Sequence, residues 1–132
     1  MKPPADKQLF ETAISTYWLG DDGVLYSTSK PPKRTIENTS ENFAMVRKIS
    51  GNKKIPLLTY LGMSSKPDKA TRDFVAQELP KVYTAMAIVS ASALGKIVMN
   101  IIFSMNAPTI PMKTFSNDAD AKEWLKQYIL KE

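Results

Sequence analysis

From Ile55 onward, short apolar runs alternate with segments whose apolar residues recur every three or four positions. Ile55 to Leu61 (IPLLTYL) reads as a strand and Lys69 to Leu79 as a helix with Phe74, Val75 and Leu79 facing inward. Val82 to Val89 (VYTAMAIV) is a second apolar strand, Ala91 to Met105 a long apolar helix, and Ile110 to Phe115 a third strand. In the last helix Ala121, Trp124, Leu125, Tyr128 and Ile129 share one stripe, behind a cap at Ser116 or Asn117. Strand–helix–strand repeats require right-handed crossovers between parallel strands, so this half predicts a parallel sheet.

The first half adds two strands and a helix. Residues 12 to 19 and 24 to 29 are rich in β-branched and aromatic side chains, and Gly20, Asp21, Asp22 and Gly23 between them predict a hairpin turn. After the proline-containing KPPKRTIEN, Ser40 caps a helix from about Glu41 to Ser50, with Phe43, Val46 and Ile49 on one side and Gly51 as its stop. The order β-β-α-β-α-β-α-β-α describes one α/β domain over residues 12 to 132, its mixed, largely parallel sheet covered by helices. Residues 1 to 11 read as a flexible lead-in without an apolar run of signal-peptide length, so a cytoplasmic protein is expected.

The chain from about Thr12 resembles bacterial proteins of the STAS, or anti-sigma-factor-antagonist-like (SpoIIAA-like), fold. The features that carry the likeness are an apolar strand ending in a hydroxyl residue, a long apolar helix, N-A-P-x-x-P at Asn106 to Pro111, Phe115, and A-x-x-W-L at Ala121 to Leu125; IPLLTYLGMSSKPDKATRDF, with Arg72 early in its helix, also fits. The resemblance implies a STAS-like fold and a regulatory role through binding a protein partner. In the better-understood relatives an aspartate ends one strand, and a second aspartate, two hydroxyl residues and a glycine open the next helix, where phosphorylation acts as a switch. Here Tyr60 stands at the first of these positions, Asp68 at the second, and Lys69, Ala70 and Thr71 follow, so the phosphoacceptor pair is missing and no such switch is expected.

Composition narrows the chemistry. With no cysteine and no histidine, thiol and imidazole catalysis and the zinc sites built from those side chains are excluded. Ser65 beside Lys66 or Lys69 has no surrounding signature of an activated nucleophile, and neither an enzyme nor a cofactor is expected. The net charge of +5 invites a phosphate-binding reading, but Lys30, Lys33 and Arg34, and then Arg47, Lys48, Lys53 and Lys54, lack interleaved aromatics, so nucleic acid is disfavoured.

Two candidate sites remain. Ser64, Ser65, Asp68 and Thr71 lie at the carboxyl end of a predicted parallel strand, where open α/β sheets usually bind ligands, although Asp68 is also explained as a helix cap and the serines as a solvated loop. On the long helix, Ser92, Lys96, Asn100 and Ser104 form one narrow polar stripe, and the apolar excess leaves a flank at Met99, Ile102 and Phe103 for a homodimer, a protein partner or an apolar small molecule such as a lipid. That helix is too short and too polar for a membrane span.

Overall fold

Adjacent side chains along each strand sort into two separate cores, one on either face of a six-stranded sheet. The computed structural model describes residues 4–60, 67–90 and 110–129. Within these residues the strands are β1 (Phe10–Glu11), β2 (Ser15–Leu19), β3 (Leu25–Ser29), β4 (Ile55–Tyr60), β5 (Tyr83–Val89) and β6 (Met112–Phe115). The helices are α1 (Ile36–Ser50), α2 (Lys69–Val82) and α3 (Asp118–Leu125), the last followed by a 3₁₀ turn at Lys126–Tyr128.

The strands stand in the sheet in chain order, β1 to β6. β1, β2 and β3 pair antiparallel, whereas β3, β4, β5 and β6 are parallel. This is the mixed, largely parallel α/β arrangement that the alternating pattern predicts. β1 lies within the expected lead-in, where pairing of Phe10 with Tyr17 and packing of Phe10 on the core tie the chain down.

α1 and α2 cover the first face, where Phe43, Val46, Leu79 and Val82 meet Tyr17, Leu25, Leu57, Met86 and Ile88. α3 covers the second, where Ala121 and Leu125 meet Trp18, Tyr26, Leu58, Ala85 and Ala87. A bulge separates the pair Ile55↔Tyr83 from Leu57↔Met86. It places the buried Tyr83 ring in the first core, 6.4 Å from Phe43 between centroids, even though Met86, three positions on, occupies that same core.

Helix ends differ from expectation where local chemistry competes. α1 starts at Ile36 rather than near Glu41, because Thr35 forms a capping box with Asn38; Ser40 is already inside the helix. Gly51 ends it in the left-handed conformation, φ 65°, as expected. α2 runs past Pro80 to Val82, so the helix passes into β5 without a loop. A proline this close to the end removes only one helical N–H, and the Tyr83 N–H still reaches the Leu79 carbonyl. The Arg34 guanidinium donates to the carbonyls of Ile14, Lys30 and Pro32, so this cation of the proline-containing loop pins the chain between β3 and α1.

Candidate functional site

The carboxyl ends of β3 and β4 carry a pair of hydroxyls inside the protein. Ser27 and Thr59 face each other in register, both are buried, and Ser27 Oγ donates to Thr59 Oγ1 at 2.8 Å. α2 spans 14 residues and β5 seven, about 21 Å and about 23 Å at their usual rises, so α2 begins level with the carboxyl ends of the strands.

At that start Asp68 has extended backbone and caps the helix. Its Oδ1 accepts the Thr71 N–H at 2.8 Å. The Thr71 hydroxyl, the Thr71 N–H, and nearby Lys33 and Arg72 hold the Asp68 carboxyl below its usual range against a small opposing effect of desolvation. Arg72 Nη1 donates to the Pro67 carbonyl at 2.7 Å, and its Nε is buried without a partner among the described residues.

Asp68 and Thr71 are thus brought together, but Thr71 is only 1% exposed and its N–H is engaged by the cap. Ser64 and Ser65 lie outside the described residues, as do Lys66, Ser92, the helix expected from Ala91 to Met105, and its flank at Met99, Ile102 and Phe103. Ser90 is buried and its N–H donates to the Phe115 carbonyl at 3.1 Å, which joins the ends of β5 and β6.

Tyr60, at the end of β4, turns to the second face and donates to Asp118 Oδ2 of α3 at 3.4 Å. Burial first, then the Asp118 charge, pushes its hydroxyl up to about 12. The position where the resemblance expects a carboxylate is therefore served by a phenol that borrows one from another helix. Nothing in the spacing of Tyr60 and Asp118 announces the contact. Ser27 and Thr59 were equally hidden, because each reads as an ordinary strand residue until the register sets them opposite one another.

A carboxylate held below its ordinary range is a weak general base, and the Asp68–Thr71 geometry suits helix capping. Among the described residues no group of three or more Asp or Glu side chains gathers as a metal site, and no helix is long and apolar enough to cross a membrane.

Among the described residues, a mixed sheet with two helices on one face, a third on the other and a capped helix start at the carboxyl ends of its strands defines a SpoIIAA-like, STAS-like α/β domain. An uncharacterized protein of the DUF3478 family with a SpoIIAA-like fold, from Shewanella loihica PV-4, aligns with a TM-score of 0.54 and 16% identity over 95% of this chain and 98% of that one. The chain belongs to the family described as a domain of unknown function, DUF7793, whose family model matches residues 17–129. No curated protein matches the sequence.

Proposed function

We propose that the protein is a non-enzymatic regulatory module that acts by binding a protein partner and lacks the phosphoacceptor switch at the start of its second helix. The observation that carries this reading is the closed helix start: Lys69 and Ala70 offer no hydroxyl, and among the described residues the neighbouring Thr71 is buried with its N–H held by the Asp68 cap. A kinase needs an accessible hydroxyl, and a phosphate at Thr71 would bring its negative charge against the Asp68 carboxylate. The SpoIIAA-like fold supports the interaction role.

The test is to isolate the protein from growing cells, map its phosphopeptides and record its native mass spectrum with and without cross-linking. The expected result is an unmodified Thr71 and a protein bound in fixed ratio, either a second copy or another chain. Substantial phosphate on Thr71, or a partner-free chain that retains a lipid-sized molecule, would overturn the reading.

A further inference from the structure

A cluster of positive charge sits at the end of the sheet opposite the capped start of α2. Arg47 and Lys48 stand in the last turn of α1, and Gly51 and Asn52 then reverse the chain with φ of 65° and 64°. Lys53 and Lys54, both exposed, lead into β4, whose first residue, Ile55, pairs with Tyr83. Lys81 precedes Tyr83 by two positions, in the last turn of α2. Glu78 ties the two helix ends together: its Oε2 lies 3.8 Å from Arg47 Nη2 and 3.2 Å from Lys81 Nζ.

Five cations against the single carboxylate of Glu78 give this cluster a net charge of +4. The ordinary use of cations at helix ends is to offset the macrodipole, and two C-termini of about half a charge each account for roughly one of them. The acidic β2–β3 turn at the same end of the sheet offsets about one further charge, because among the described residues only one of its two carboxylates has a cationic partner. Asp21 pairs with Lys7, and Asp22 accepts the Tyr26 hydroxyl at 2.6 Å and the Val24 N–H at 3.1 Å. A cationic excess therefore remains at the α1 and α2 ends.

We propose that this basic end of the sheet docks an acidic segment of a partner protein. The inference rests on the interaction role above but uses a different surface. Three features favour spaced carboxylates over a nucleic acid. Four of the five cations are lysines, and the one guanidinium, Arg47, already faces Glu78. The exposed large apolar side chains among the described residues are Leu9, Leu19 and Ile36, none of them a ring on which a base could stack. The Glu78 charge also lies inside the patch, where it interrupts a continuous run of phosphates but leaves room for separated carboxylates on either side.

Fluorescence anisotropy with a labelled polyglutamate peptide tests this, with single-stranded DNA of equal charge as the competing probe. The expected result is that the wild type binds the peptide, that Lys53→Glu with Lys54→Glu weakens binding about tenfold or more, and that raising salt from about 0.05 M to about 0.5 M weakens it similarly. The control pair Lys69→Glu with Lys126→Glu makes the same change in net charge at exposed sites elsewhere and should leave most of the affinity. Carbodiimide cross-linking on the wild type supplies a readout independent of any variant, with peptide adducts expected at Lys53, Lys54 and Lys81. Absence of binding, equal weakening by the control pair, adducts elsewhere, or tighter binding of DNA would overturn the proposal. Such a failure would leave the native mass result, and with it the interaction role, standing.

Discussion

Asp68 shows how one side chain can suggest a functional site while serving the fold. Its carboxyl is held below its usual range, so its stabilising effect is complete above the ordinary aspartate value near 4 and is lost as pH falls through the lowered folded value. Asn caps helices about as well as Asp but carries no charge to titrate. Denaturant unfolding of Asp68→Asn should thus match the wild type closely at neutral pH and show less loss of stability in acid, whereas Asp68→Ala should lower the unfolding midpoint at both. An Asp68→Asn protein as weak as Asp68→Ala at neutral pH would mean that charge, rather than hydrogen bonding to Thr71, is what the position supplies.

At the scale of elements, α3 is held by what it buries. Ala121 and Leu125 are fully buried, and Trp124 is half-buried between Phe115 and Tyr128, with ring centroids 5.7 and 5.0 Å away. Leu125→Ala should cost about 2 to 5 kcal/mol, and Trp124→Ala about 3 kcal/mol or less, because a partly exposed ring loses less than the full core value. Urea unfolding checks both, and a Trp124→Ala protein more damaged than Leu125→Ala would reverse the order argued here. The stripe of this helix was readable beforehand because its apolar residues keep helical period to Ile129, through the 3₁₀ turn. The start of α1 was not, since Ile36 to Ser40 contains Asn, Thr and Ser, weak helix formers, and the cap pairs Thr35 with Asn38 rather than with the more familiar Glu or Gln. The candidate site was legible only in part. The Asp68 cap follows from local sequence, whereas the contacts of Ser27 with Thr59 and Tyr60 with Asp118 depend on which elements become neighbours.

Across the whole molecule, phenols are distributed through both cores. Burial pushes Tyr17 and Tyr60 up to about 12, and it also raises Tyr26 and Tyr83. A raised folded value means that the neutral form is the one the fold prefers. The associated stability is therefore complete below the unfolded value near 10 and is lost as pH rises from about 10 through about 12. Absorbance titration should show most of the five tyrosines ionising above the ordinary range, together with alkaline unfolding. Ionisation of all five near 10 with the fold intact would contradict the buried, neutral network. The same sheet also carries a record of order in time. Because β1 to β6 lie side by side in the sequence in which they are made, each strand emerging from the ribosome finds its neighbour already synthesised. No gap must be held open for a strand still to come, and the sheet can grow from one side as the chain lengthens, by a series of local closures.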